Sequence, residues 1–163
     1  MVIEDKLREN AALYPDKVAL VCGEKSLTYR QLYQAIKDKA DSMGDIRGCL
    51  IPIVAYSTVD FFITYFALHF TGAVAVTLHK DIPAKKLNDY AETLEQGIVP
   101  EEVADILFTT GTTGNAKAVM ISYQAIIANA ENLVLSQGFS HDVTFIINGP
   151  LNHIGSLSKV YPT

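Results

Sequence analysis

The sequence predicts an α/β fold with a largely parallel sheet, and three observations carry that prediction. Residues 48–55 form an apolar run, a helix-forming stretch follows, and residues 73–78 are apolar again. Strand, helix and strand in that order call for a right-handed parallel crossover. Residues 106–108 and 118–121 are two further short apolar runs, read as buried strands on either side of a polar loop. The 163 residues suit one domain, able to bury about 70% of the surface that the unfolded chain exposes.

In chain order, Ile3, Leu7 and Ala11 recur at helical spacing, and Leu13 and Tyr14 complete an amphipathic helix that Pro15 ends. Residues 17–22 read as a strand, followed by a Gly23-Glu24-Lys25 turn. Thr28 with Gln31 three positions later is a capping box, so a helix starts there and runs to about Met43. Residues 48–55 are apolar enough for a central strand. Ser57 or Thr58 caps the next helix, whose Phe61, Phe62, Tyr65, Phe66, Leu68 and Phe70 form an aromatic stripe of the kind that fills a core. Thr71-Gly72 stops that helix, and Pro83 opens another from a first-turn position. Beyond the polar loop, Ser122 caps a helix to about Ser136, with Ile126, Ile127, Leu133 and Val134 turned inward. Residues 143–147 read as one more strand.

Bulk chemistry excludes some functions. A net charge of -5, a pI near 5.3 and the lack of a basic cluster argue against nucleic-acid binding. Asp60, Thr64, His69, Thr71 and Gly72 interrupt the most apolar stretch, residues 59–76, which argues against a membrane span. The N-terminus has no basic region leading into an apolar segment, so a secretory signal is not expected. Cys22 and Cys49 sit in apolar, strand-like runs. A disulfide or redox pair is open to them, but buried free thiols in a reducing cytoplasm fit better. Charged residues make up 19%, below the ~25% of an ordinary soluble domain, which fits a piece of something larger. His69, His79 and His141 read as structural, and no metal-ligand cluster or Ser/His/Asp set is visible.

The informative stretch is the loop from Thr109 to Lys117. A hairpin needs only ~2–5 linking residues, and this connection is longer. It holds Thr109, Thr110, Gly111, Thr112, Thr113, Gly114, Asn115, Ala116 and Lys117. Glycines let backbone N–H groups approach a phosphate, hydroxyls donate to its oxygens, and a lysine adds mobile positive charge. The composition alone also suits a solvated turn. A Walker-type P-loop is ruled out, because Ala116 stands where glycine is required and Ala118 where Ser or Thr is.

The order Thr-Thr-Gly-Thr-Thr-Gly-x-x-Lys resembles the phosphate loop of the adenylate-forming (AMP-binding) acid:thiol ligases, acyl-CoA synthetases among them. Three more stretches share the likeness: Leu27-Thr28-Tyr29, the residues 70–78 segment, and Pro150-Leu-Asn-His153 with Gly155. The chain departs from the pattern at Ala116 (proline is usual), Ala118 (glycine), Val76 (proline) and Tyr123 (histidine). The 85–97 connection is abbreviated, so one β-α unit is expected to be missing.

The resemblance implies a layered α/β/α subdomain with a largely parallel sheet, residues 1–163 being part of the N-terminal AMP-binding domain. It implies that Thr109, Thr110, Gly111, Thr112, Thr113, Gly114 and Lys117 hold the ATP phosphates. Lys117 would be the catalytic cation, Thr109 would assist Mg²⁺, and His153 would gate the acyl pocket. The implied partners are a small carboxylic acid, a thiol acceptor such as CoA, and the missing C-terminal part of the same enzyme. The implied setting is cytoplasmic, and fatty acid metabolism follows from the likeness to acyl-CoA synthetases. A stand-alone ATP-binding or regulatory module and an inactive remnant remain as alternatives.

Overall fold

The computed structural model of the protein describes residues 2–95, 99–109 and 117–161. The chain divides into two compact units, Met1–Ile51 with Ser57–Ala75, and Pro52–Tyr56 with Val76–Thr163.

In the first unit, α1 (Val2–Leu13) precedes a hairpin of β1 (Val18–Cys22) and β2 (Lys25–Thr28), followed by α2 (Tyr29–Met43) and later α3 (Val59–Thr71). The hairpin is antiparallel and turns at Gly23, whose φ of 59° is the left-handed conformation that glycine adopts without strain. The predicted capping box is complete. Gln31 N–H donates to Thr28 Oγ1 at 3.3 Å, and Thr28 N–H donates to Gln31 Oε1 at 2.9 Å. Thr58 rather than Ser57 caps α3, accepting from Phe61 N–H at 3.2 Å, and Gly72 ends the helix at φ 76°. The aromatic stripe is core at Phe61, Phe62, Tyr65, Phe66 and Leu68, while Phe70 is only half-buried beside Tyr33, and α2 adds Leu32 and Ile36. His69 is fully buried and meets the Tyr65 ring edge-on at 4.5 Å, the structural role expected of it.

The main sheet has the order β3-β4-β5-β6, with β3 Leu50–Val54, β4 Val74–Leu78, β5 Val103–Thr109 and β6 Lys117–Ser122. Val74 N–H donates to Cys49 C=O and Ala55 N–H to Leu78 C=O. Partners therefore advance together along the two strands, so β3 and β4 run parallel, as the crossover reading requires. β5 and β6 pair antiparallel, from Asp105 opposite Ile121 to Thr109 opposite Lys117.

Around β5 and β6 the second unit carries α4 (Ala84–Glu95), α5 (Tyr123–Gln137) and the short α6 (Ile154–Leu157). Alternation along β5 sends neighbouring side chains to opposite faces. Phe108 stacks on Tyr90 of α4, with ring centres 3.7 Å apart. Leu107 and Ile121 instead share a cavity wall with Ile126 of α5. Helices thus cover both faces of this pair, the α/β/α layering that was expected.

Several expectations need correction. Residues 143–147 join no ladder among the described residues. Val143 and Ile146 are exposed, because an apolar run becomes a strand only where a partner offers its hydrogen bonds. β3 is shorter than the apolar run and lies at the end of the sheet order instead of in its middle. Val134 is exposed, since α5 buries only a narrow stripe at Ile126. Both cysteines are free, but Cys49 is exposed and Cys22 only half-buried, where burial raises its thiol above the ordinary range. Pro83 stands one residue before α4 and not within its first turn.

Candidate functional site

Directly opposed residues of an antiparallel pair send their side chains to the same face. Thr109 faces Lys117 in register at the ends of β5 and β6, so both side chains leave one face, flanking the connecting loop. Both are exposed. Thr110, Gly111, Thr112, Thr113 and Gly114 lie outside the described residues.

That same face is the floor of a cavity of about 550 Å³. Asp105, Leu107 and Thr109 of β5 lie two residues apart along it, beside Val119 and Ile121 of β6. Ala125, Ile126 and Asn129 of α5 form one wall. The segment from Asn152 to Tyr161 closes another and brings in His153. The cavity therefore unites two predicted residues, Thr109 and His153, that stand 44 positions apart in the sequence.

His153 is exposed and sits at the N-cap of α6. Its side chain makes no capping bond, while its backbone carbonyl accepts from Ser156 and Leu157 N–H at 3.0 Å each. The His153 side chain, which has no capping role, borders the cavity. Asn129 Nδ2 donates to Ser158 C=O at 3.2 Å, tying α5 to the segment after α6.

Sequence reasoning missed Asp105, Asn129 and Asn152 as lining groups. For Asp105 a signal existed: counting back in twos from Thr109 puts it on the same face, as the one charge inside an apolar strand. Asn129 and Asn152 gave none, because nothing local says that those positions meet the cavity.

At the ends of β5 and β6 the described geometry places a hydroxyl, that of Thr109, and an ammonium, that of Lys117, on one face. No group of three His, Cys, Asp or Glu side chains among the described residues could hold a metal. Thr109, the residue expected to assist Mg²⁺, lies among the described residues at the end of β5. No helix among the described residues is long and apolar enough to cross a membrane.

Comparison with known proteins gives a consistent result. The model of the family described as AMP-binding enzyme matches residues 7–99 and 88–163. A 2-succinylbenzoate–CoA ligase of Bacillus cereus is 26% identical over 189 positions, covering 93% of this chain and 39% of the relative. The chain thus spans well under half the length of that relative. Among solved structures, o-succinylbenzoate CoA synthetase from Bacillus subtilis in complex with the acyl-adenylate intermediate OSB-AMP has a TM-score of 0.78 at 20% identity. It matches 96% of this chain and 52% of its own. The Klebsiella oxytoca NpsA N-terminal subdomain in complex with 3-hydroxyanthranilyl-AMSN gives a TM-score of 0.84 at 21% identity, over 98% of this chain and 50% of its own. These likenesses establish a shared fold.

Proposed function

Because this chain belongs to the AMP-binding enzyme family, we propose that it is the part of an AMP-forming acid:thiol ligase that grips ATP and seats the acid to be activated. In that reaction a carboxylate oxygen bonds to the α-phosphorus of ATP while the bond to pyrophosphate breaks. A thiol such as that of CoA then takes the acyl carbon, and AMP leaves. Charge is the obstacle, since an anion must approach an anion while negative charge gathers on the departing pyrophosphate. Preorganised donors answer it.

In this reading Thr109, Thr110, Thr112 and Thr113, with the N–H groups of Gly111 and Gly114, hold the β- and γ-phosphates. Lys117 neutralises them, and Thr109 assists the metal. Mg²⁺ supplies further charge neutralisation on the triphosphate. His153 stands as a gate beside the acid and does not act as a base. Residues 1–163 act as part of an N-terminal domain, and turnover needs the remainder of the enzyme.

The observation that carries the reading is the register pairing of Thr109 with Lys117, Thr109 bordering a cavity that His153 also lines. The cavity, largely apolar in its lining, suits an aromatic or compact apolar acid. The names of the relatives specify 2-succinylbenzoate, an aromatic acid, so fatty acid metabolism is not carried forward.

The test is calorimetric titration of the chain with MgATP. Lys117→Ala should weaken binding by about 2 kcal/mol, roughly 30-fold, the scale of one charge-assisted contact. Equal affinity in the variant would refute the assignment of Lys117.

A further inference from the structure

Resting on the reading of the cavity as the seat of the acid, we infer that Asn129 selects among the acids it takes. An aromatic acid with a hydroxyl on its ring is favoured over the same acid without one.

Asn129 stands on α5 three residues after Ile126 and four after Ala125, the spacing that keeps all three on one side of a helix, and all three line the cavity. Its amide has a defined orientation. Nδ2 donates to Ser158 C=O at 3.2 Å, and only the nitrogen end of an amide can serve a carbonyl. The oxygen end is left over. Among the described residues Asn129 Oδ1 accepts no hydrogen bond, and it stays open to solvent.

The surroundings give that acceptor its weight. Leu107, Val119, Ile121, Ile126 and Leu157 make the lining largely apolar. An acid that fills the cavity with an unsubstituted ring strips water from Oδ1 and returns no donor, which is costly. A ring hydroxyl makes good the loss by donating its O–H to Oδ1. A site with a fixed acceptor therefore rejects the analogue that lacks the donor. Asn152 also lines the cavity, but its side chain makes no hydrogen bond among the described residues. Its amide is free to turn and meets donors and acceptors alike, so it does not discriminate. Asp105 and Tyr161, two further lining residues, already have interactions within the protein.

The experiment is calorimetry on the chain with 3-phenylpropanoate, its three ring-hydroxylated analogues (ortho, meta and para) and the matching fluoro compounds. Fluorine is close to a hydroxyl in size and donates nothing. At one ring position the hydroxyl acid should bind about tenfold tighter than both the parent and the fluoro acid. Asn129→Ala and Asn129→Leu, both compatible with a helix, should each bring that ratio close to one. Loss of the tie to Ser158 alone would weaken all the acids alike and leave the ratio unchanged. Equal affinities in the wild-type chain, or a ratio that survives in a variant, would overturn the role of Asn129 while leaving the cavity as an acid site. Binding of none of the acids would overturn the cavity reading, and this inference with it. Either variant decides the matter should the other not fold.

Discussion

At Gly149 the absence of one methyl group sets how closely the start of α6 can approach. A β-carbon there would lie 2.2 Å from Ser156 Oγ, while the next nearest atom, Ser156 Cβ, is at 3.5 Å. The constraint is space alone, since the backbone is not left-handed at this position. Gly149→Ala should therefore destabilise the protein by about 1 kcal/mol or less, since the Ser156 hydroxyl can turn to another rotamer to make room. In a Ser156→Ala background most of that loss should vanish, because the offending atom is gone. Urea midpoints of the two single variants and the double check this, and simple additivity would contradict it. Residues of this kind differ in legibility. Thr109, Lys117 and His153 could be picked out because their chemistry stands inside distinctive local segments. The restraint on Gly149 could not, because its partner is seven positions away and reaches it only once α6 has formed.

Among the elements, α2 shows how much local sequence can specify. Both hydrogen bonds of its capping box connect residues three apart, so the whole device is written in Thr28-Tyr-Arg-Gln31. Thr28→Ala removes one acceptor and should cost about 1 kcal/mol of stability, read as a lower urea midpoint. An unchanged midpoint would mean that the cap carries no weight. Residues 143–147 are the opposite case. Their apolar pattern is right for a strand, yet a strand is a relation between two segments, and none of the described residues pairs with them. β3 repeats the lesson more mildly: its composition suits a buried middle position, while the sheet order puts it at one end.

For the molecule as a whole, burial decides which apolar residues hold the fold. Ile106 is fully buried and sits on the face of β5 away from the cavity, whereas Leu135 on α5 is 82% exposed. Ile106→Ala should cost about 2–5 kcal/mol. Leu135→Ser should stay within about 0.5 kcal/mol of the wild type. Denaturant curves of both variants test this, and comparable losses would show that the burial pattern is misjudged. Hydropathy alone cannot separate these two residues, since each sits in an apolar stretch of a regular element.

From the sequence alone came the family-specific loop, the caps of α2, α3 and α5, the stop of α3, most of the aromatic core stripe, and the strand–helix–strand order that makes β3 and β4 parallel. All of these rest on interactions between near neighbours or on simple periodicity. Tertiary structure alone decided that Thr109 and His153 border one cavity, that Asp105 lies buried along its floor, and that Val134, Ile146 and Cys49 face outward. Those facts depend on which faces of distant segments meet, and packing settles that only when the chain has closed on itself.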